Sequence, residues 1–210
     1  DLHSFPTRRS SDLVVGRGLR GDPGKRPPRF GMGCGSWGRA IMNQDLINAQ
    51  EIIELLGLRP LESEGGMALR TYESAWTIDG KPAGTAIYYL LSGDAFSHLH
   101  RLSGDEVYHF YLGDPVSLLE LLPDGSFRTT ILGPRLREGH RVQYTVPAGH
   151  WQGSRLLPGG HFALLGTTMC PGYTPESYEH GDGAVLKSAY PRAAATTRSE
   201  ERRVGKECRS

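Results

Sequence analysis

The feature that most constrains the fold is a succession of short strand-like segments, which begins after Pro60 and is interrupted throughout by turn residues. The segments alternate apolar and polar residues or are rich in β-branched and aromatic ones, and Pro123–Gly125 is a typical turn between two of them. Many short strands at regular spacing are typical of an antiparallel sandwich or barrel, so the sequence predicts an all-β fold. We predict strands over residues 67–74, 83–91, 96–102, 106–112, 117–122, 127–132, 141–146 and 161–168, with a further candidate at 184–189.

A single segment before the strands has the spacing of a helix. Its apolar residues recur every three or four positions and form one stripe: Leu46, Ala49, Ile53 and Leu56. We therefore predict a helix over residues 45–56, which Asn43 or Asp45 can cap and Gly57 can end. Such a stripe packs against a sheet or against a partner subunit.

The two ends of the chain are related at the level of DNA. A coding strand for residues 3–13 can be chosen whose reverse complement encodes residues 198–207 and begins the codon of Cys208. Agreement over so many codons does not arise by chance, and the DNA resembles a common sequencing adapter. We interpret residues 1–13 and the tail from residue 198 as translated adapter, and exclude them from the fold.

The intervening segment, residues 14–41, is rich in glycine, arginine and proline and has neither helical nor strand periodicity. It is either a disordered leader or translated upstream DNA in front of Met42. Residues 42–190 remain as one predicted domain, and residues 191–210 follow it as a tail.

The charge of the predicted domain limits the classes of partner. The whole chain has a formal net charge of +1, but residues 42–192 hold 11 Lys and Arg against 17 Asp and Glu, a net charge of −6. We expect no nucleic-acid partner, because phosphate binding depends on Lys and Arg. No apolar run is long enough for a membrane helix. Cys170 is the only cysteine in this region, so we expect a reduced, cytoplasmic setting.

Two histidines one residue apart are the strongest chemical signal. Alternation along a strand over residues 96–102 puts His98 and His100 on the same face, and Glu106 follows at the start of the next strand. Two imidazoles and a carboxylate on adjacent strands can bind a divalent ion and leave coordination positions open, which suits Fe, Mn, Ni or Zn. The same side chains could instead line a polar pocket without a metal.

The pattern around these residues resembles a known superfamily. HLHRLSGDEVYHFYLG resembles the first motif of the cupins, with His98, His100, Glu106 and Gly113 at the matching positions. PAGHWQ resembles the second motif and puts Gln152 at the place of the fourth metal ligand. The longer segments DEVYHFYLGDPVSLLELLPDG, VPAGHWQGSRL and CPGY resemble the uncharacterised "cupin 5" family, over about residues 44–180. A yeast member of that family is related in fold to sugar-nucleotide epimerases.

The resemblance implies a jelly-roll barrel, the double-stranded β-helix of the cupins, with one N-terminal α-helix and one small-molecule pocket. It implies a metal set of His98, His100, Glu106 and Gln152. It also implies a dimer, and the apolar helix stripe and the strand edges of a jelly roll likewise favour a homodimer.

Four further residues are candidates for contact with a small-molecule ligand. Tyr108 and Phe110 share the face of Glu106, where a planar or sugar ligand could stack. Trp151 is either a packing anchor or a stacking platform. Gln152 could donate a hydrogen bond to the ligand.

Two functions remain open at this point. The first is an enzyme that acts on a sugar, nucleotide-sugar or similar polar metabolite, as an isomerase or epimerase or through metal-dependent oxygen chemistry. Its acid–base residues would be Glu106 with His100 or His109, although His109 alternates to the opposite face unless a bulge turns it inward. The second is a binding or sensor barrel without a metal. The absence of a predicted second domain that could receive a signal favours the enzyme.

Overall fold

The structure is a computed structural model, and it describes residues 47–195. The interpretations of residues 1–41 and of the adapter-like tail lie outside the described residues. So do Asn43 and Asp45, the candidate caps of the first helix.

The first helix, α1, spans Ala49–Leu56 and begins later than the apolar stripe predicts. Asn48 is its cap: the Asn48 side chain accepts the backbone N–H of Glu51 (3.1 Å), and the Glu51 carboxylate accepts the N–H of Asn48 (2.8 Å). This reciprocal pair satisfies two of the N–H groups that a helix start leaves free. Gly57 ends the helix with φ 66°, a conformation in which glycine meets no steric penalty.

Thirteen strands follow, and eleven of them build two sheets. In chain order they are β1 (Arg59–Pro60), β2 (Met67–Glu73), β3 (Thr77–Ile78), β4 (Lys81–Pro82), β5 (Thr85–Ser92), β6 (His100–Leu102), β7 (Glu106–Gly113), β8 (Val116–Leu121), β9 (Phe127–Leu132), β10 (Gln143–Val146), β11 (Trp151–Leu156), β12 (Phe162–Met169) and β13 (Tyr178–His180). The six-stranded sheet has the order β1-β2-β5-β12-β7-β10 and the five-stranded sheet the order β13-β6-β11-β8-β9, while β3 and β4 pair only with each other.

The core lies between the two sheets. Alternate residues of the six-stranded sheet, such as Tyr89 and Leu165, pack against Leu118 and Leu156 of the five-stranded sheet. The core is therefore enclosed by antiparallel strands on both sides, which is the architecture of a jelly roll. The predicted all-β fold with one N-terminal helix is confirmed.

Helix α1 covers part of the outer face of the six-stranded sheet. Ile52 and Leu58, 2% and 0% exposed, pack against Leu90 and Leu164 of the sheet. Ala49, Ile53 and Leu56 of the predicted stripe are partly buried and pack against the same cluster, so this part of the stripe packs on the sheet as predicted. No helix among residues 47–195 is long and apolar enough to span a membrane.

Two predicted segments have different structures. Residues 184–189, a strand candidate, lie in helix α2 (Gly183–Ala189), because the Asp182 carboxylate accepts the N–H groups of Ala184 (2.8 Å) and Val185 (3.1 Å) and starts a helix there. The strand predicted over residues 96–102 is regular only from His100 to Leu102. Before it, Phe96 forms an isolated bridge with Arg155.

Five strands have no counterpart among the predicted segments. Three of them, β1, β3 and β4, have only two residues each, and the longer two are β11 and β13, which span Trp151–Leu156 and Tyr178–His180. Strand β11 contains Gly153 and Arg155 and follows a turn-like segment directly, so its sequence reads as part of a loop. It nevertheless lies in the middle of the five-stranded sheet, between β6 and β8.

Candidate functional site

A row of polar side chains crosses the inner face of the five-stranded sheet. Gln152 of β11 lies opposite His100 of β6 on one side and opposite Glu120 of β8 on the other. Residues at facing positions of adjacent strands project to the same side of a sheet. The three are 0–1% exposed, so the interior of the barrel holds a buried polar band.

Glu106 begins β7 on the opposite sheet and faces this band. The Gln152 Nε2 group donates a hydrogen bond to Glu106 Oε2 at 2.7 Å, and the Tyr108 side chain also hydrogen-bonds to Glu106. Burial raises the pKa of Tyr108 well above its usual value, and the negative charge of Glu106 raises it further. The Tyr108 hydroxyl therefore keeps its proton and acts as a donor. Donors from both sheets hold Glu106 in place.

A second carboxyl group enters the pocket from the loop between β1 and β2. Glu64 Oε2 lies 3.8 Å from Nε2 of His100, and the Glu64 side chain is only 14% exposed. Burial raises the pKa of Glu64 to about 8, with a further contribution from the negative charge of Glu106. The carboxyl group is therefore mostly protonated at neutral pH. Sequence reasoning missed Glu64, because LESEGG reads as an ordinary polar loop.

The loop that carries Glu64 is fixed at three consecutive backbone carbonyls. The donors come from three separate parts of the fold. The Tyr178 hydroxyl donates to the carbonyl oxygen of Ser63 (2.6 Å), the His98 backbone N–H to that of Glu64 (2.7 Å), and the Tyr89 hydroxyl to that of Gly65 (3.1 Å). These hydrogen bonds define the direction from which the Glu64 carboxyl group approaches His100.

The orientation and tautomer of His100 are set by its neighbours. Nδ1 lies 2.8 Å from the carbonyl oxygen of His98, which can only accept, so Nδ1 carries a hydrogen. In the neutral imidazole the lone pair is then on Nε2. The ring of Tyr178 stacks on the imidazole with a centroid distance of 5.3 Å and an interplanar angle of 23°. His100 thus presents a basic nitrogen to the pocket in a fixed direction.

Three buried polar atoms at inward-facing positions have no hydrogen-bond partner within residues 47–195. They are His100 Nε2, Gln152 Oε1 and Ser154 Oγ. Buried polar groups in native proteins are almost always paired with protein, water or a ligand. Because these atoms lie at inward-facing positions of the same barrel, they indicate that its interior can bind a polar ligand or water.

A cavity of about 220 Å³ lies beside His100 and Gln152 without being lined by them: it reaches Glu64, 3.8 Å from His100 Nε2, and Glu106, which accepts the hydrogen bond of the Gln152 amide. Glu64 and Glu106 lie on its wall, and Arg59 and Arg70 are among its lining residues. Both arginines are exposed, so the cavity leads from a cationic mouth to an interior with two carboxyl groups. A larger cavity of about 960 Å³ lies on the outer side of the five-stranded sheet against α2, but none of these four residues lines it.

His98 does not enter the buried interior with His100 as predicted. His98 is exposed whereas His100 is fully buried, and the His98 ring lies 5.7 Å from that of His180. The physical reason is that the chain is not a regular strand at His98, since its backbone N–H donates to the carbonyl of Glu64 rather than into a strand ladder. The Glu106 position agrees with its predicted place in the pocket.

His109 also differs from the hypothesis that a bulge turns it inward. The irregularity in the β7–β12 pairing lies beyond it, at Leu164/Leu165 of β12. His109 therefore keeps the face opposite Glu106, where its ring nitrogens lie 3.1 Å from Thr168 Oγ1 and 3.2 Å from Gln143 Nε2. The structure does not bring His109 and Glu106 into one site.

The aromatic candidates divide between the inside and the outside of the barrel. Tyr108 is buried in the core and contacts Glu106, and Phe110 packs against the same core. Trp151 lies on the outer side, where it packs with Leu121 and Leu186 and has the Arg101 guanidinium 4.7 Å from its ring centroid. Its place is that of a packing anchor.

The four residues predicted as metal ligands do not form a metal site. His98 lies outside, and the amide nitrogen of Gln152 points at Glu106. No group of three or more His, Cys, Asp and Glu side chains within residues 47–195 is arranged to hold a metal ion. The described residues therefore do not fit the predicted Fe, Mn, Ni or Zn centre, and no catalytic step is derived through a metal.

Two antiparallel sheets that enclose a polar pocket define a barrel of the cupin class. Residues 50–181 match the family described as "Cupin superfamily (DUF985)", and the chain belongs to this family, Cupin_5. The predicted resemblance is thus confirmed. No curated protein matches the chain.

Solved structures agree with this assignment. The crystal structure of a protein from Shewanella oneidensis is 32% identical, with a TM-score of 0.68, and the match covers 71% of this chain and 94% of that one. A hypothetical protein from Leishmania major is 31% identical, with a TM-score of 0.66, and covers 70% and 94% of the two chains. The chain is similar to both over nearly their whole length.

Proposed function

We propose that the barrel is an isomerase or epimerase that moves a proton on a small polar metabolite, with His100 as base and Glu64 as acid and without a metal. The observation that carries this proposal is the buried pair itself. A basic nitrogen without a hydrogen-bond partner among the described residues lies 3.8 Å from a carboxyl group whose raised pKa, about 8, keeps it protonated. The lone pair of His100 Nε2 and the proton of the Glu64 carboxyl group are therefore placed side by side.

The proposed step is the enolisation of a carbonyl compound. For an α-hydroxy carbonyl compound, His100 Nε2 removes the proton from the carbon next to the carbonyl group, and the electron pair of that C–H bond forms the C=C bond of an enediol while the carbonyl oxygen takes the proton of Glu64. Protonated His100 then gives its proton to the former carbonyl carbon, the hydroxyl group on the other carbon becomes the new carbonyl group and returns a proton to Glu64, and the product is an isomer. An epimer forms only when the proton reaches the opposite face of the original carbon, which requires the enediol to turn over in the pocket. Both residues recover their starting states at the end of the cycle.

Glu106 is a positioning residue in this mechanism. Its negative charge is one of the two causes that raise the pKa of Glu64, so it keeps the acid protonated at the pH of the reaction. Gln152 and Tyr108 hold Glu106. Glu106→Gln should therefore lower the pKa of Glu64 and move the upper pH limit of the activity from about 8 to a lower pH.

Deuterium exchange tests the proposal without knowledge of the natural substrate. The chain is incubated in D₂O with short-chain aldoses, ketoses and their phosphates, and mass spectrometry detects deuterium at the carbon next to the carbonyl group. We expect His100→Gln and Glu64→Gln each to slow the exchange by about 100-fold, the usual scale of general acid–base catalysis.

His98→Gln is the matched control, because it makes the same substitution two positions away on an exposed side chain. It should leave the exchange rate unchanged, and so should treatment with a metal chelator. Full exchange in His100→Gln, or exchange that is lost on chelation and restored by Mn²⁺ or Fe²⁺, would contradict the proposal.

The second candidate is a binding barrel without catalysis. It is favoured by the burial of His100, which is 0% exposed and does not line the cavity, since a ligand in the cavity would then meet Glu64 and Glu106 but not the proposed base. Ligand binding without any deuterium exchange would support this candidate against the enzyme.

A further inference from the structure

We propose that the pocket takes a small polyhydroxylated molecule in one orientation, with its hydroxyl groups in the barrel interior and one anionic group at the mouth beside Arg59 and Arg70. This inference rests on the proposed function, because it names the substrate class of the same pocket. The inference goes beyond the proposed function because it assigns the two ends of the substrate to two chemically different regions of the pocket.

The inner wall of the cavity carries hydrogen-bond acceptors. Glu64 and Glu106 place two carboxyl groups on it. His100 and Gln152 do not line the cavity but contact these two groups from behind, and their Nε2 and Oε1 atoms have no partner among residues 47–195. Hydroxyl groups of a ligand can donate to the carboxyl oxygen atoms on the wall.

An anionic group would be unfavourable at the same place. It would meet the negative charge of Glu106 at close range in a buried setting, where repulsion between like charges is strong. The lining residues in the described part of the chain include no lysine, and Arg59 and Arg70 are their only arginines. An anion is therefore better placed at the mouth.

The two arginines that line the cavity keep hydrogen-bond donors available for an anion. Both are exposed; the Arg70 guanidinium lies 5.7 Å from the centroid of the Tyr173 ring and forms an ion pair with Glu73. The Arg59 guanidinium donates one N–H to the carbonyl oxygen of Leu58 (3.4 Å). Each keeps further N–H donors in a planar fork, the geometry that suits a phosphate or a carboxylate.

The cavity volume limits the size of the ligand. About 220 Å³ is below the usual range for pockets that hold drug-sized molecules. It accommodates about a dozen non-hydrogen atoms at the density of an organic liquid. A short sugar phosphate or sugar acid fits, whereas the nucleoside part of a nucleotide-sugar would have to lie outside the cavity.

Calorimetric titration of the full chain with three probes tests the orientation. D-erythrose 4-phosphate has hydroxyl groups at one end and an anion at the other, D-erythrose has no anion, and tartrate is anionic at both ends. We expect the phosphate to bind about tenfold or more tightly than D-erythrose, and tartrate to bind more weakly than D-erythrose. The double variant Arg59→Gln, Arg70→Gln should reduce the affinity for the phosphate to that for D-erythrose, and leave the affinity for D-erythrose unchanged.

Arg137→Gln is the matched control, an exposed arginine that does not line the cavity, and it should change neither affinity. Tartrate bound as tightly as the phosphate, an unchanged phosphate affinity in the double variant, or no binding of the phosphate probe at its highest soluble concentration would overturn the inference. Binding in the expected order without deuterium exchange would count only against the proposed function. Exchange that is insensitive to Arg59 and Arg70 would count only against this inference.

Discussion

Glu62 and Glu64 lie two residues apart on the same loop, yet their environments differ. Glu62 is exposed, while the side chain of Glu64 is 14% exposed and faces a second carboxylate. Transfer of a carboxylate out of water penalises its charged form, and a neighbouring negative charge adds to the penalty. Two positions along the loop thus separate an exposed surface glutamate from a group with a pKa of about 8.

This difference predicts how the stability of the chain depends on pH. The pKa of Glu64 is raised from 4.5 to about 8, so the folded state holds the proton more tightly than the unfolded state. The stabilisation is fully present below pH 4.5 and is lost as the pH rises through 8. Between these limits the free energy of unfolding should fall by on the order of 4 kcal/mol relative to Glu64→Gln, which does not titrate.

Urea denaturation at a series of pH values measures this difference. Glu62→Gln, on the same loop, should follow the unsubstituted chain at every pH. If the free energy of unfolding of Glu64→Gln also changes with pH as that of the unsubstituted chain does, from pH 5 to 8, then the pKa of Glu64 is not raised.

At the scale of elements, the pocket depends on how one loop is packed against the barrel. Gly65 follows Glu64 and has φ 87°, and a Cβ atom at this position would overlap the backbone carbonyl oxygen of Phe96. Only glycine combines this conformation with so close an approach. The side chain of Glu64 reaches His100 because the backbone beside it can come this close.

Gly65→Ala should therefore destabilise the chain by more than its backbone conformation alone would cost. Gly139 has nearly the same φ, 85°, but a Cβ atom added there would meet no other atom within 4 Å, so Gly139→Ala isolates the cost of the conformation, about 1 kcal/mol. We expect Gly65→Ala to cost about 2 kcal/mol more, because backbone atoms must move. Thermal or urea denaturation of both variants measures the difference. Equal losses in the two variants would show that the loop tolerates displacement.

Local sequence patterns predicted the strands in which apolar and polar residues alternate regularly. Strand β9 has its predicted bounds, and Glu106 and Tyr108 face inward as the alternation along β7 requires. His98 was misplaced because its backbone bonds to the loop of Glu64, a contact between distant parts of the sequence. Glu64 itself belongs to no motif, and only the folded barrel brings it to His100. The part of the site that follows periodicity was predictable, and the part made by long-range contacts was not.

At the scale of the whole molecule, the barrel provides what the individual residues lack. Two sheets exclude water from His100 and Gln152, and the same burial raises the pKa of Glu64. The outer face of the six-stranded sheet has exposed aromatic side chains, among them Tyr111, which packs edge-on against Tyr88. These side chains are compatible with the homodimer, which stays a prediction.

The central claim is that the folded barrel holds the Glu64 carboxyl group protonated at neutral pH beside Nε2 of His100. Carbon-13 NMR of the glutamate side-chain carboxyl groups, followed across a pH titration, tests it most directly. One glutamate should titrate near pH 8, disappear in Glu64→Gln, shift to lower pH in Glu106→Gln and return to its ordinary range in urea. A folded chain in which every glutamate titrates in the ordinary range, near pH 4.3, would contradict the account.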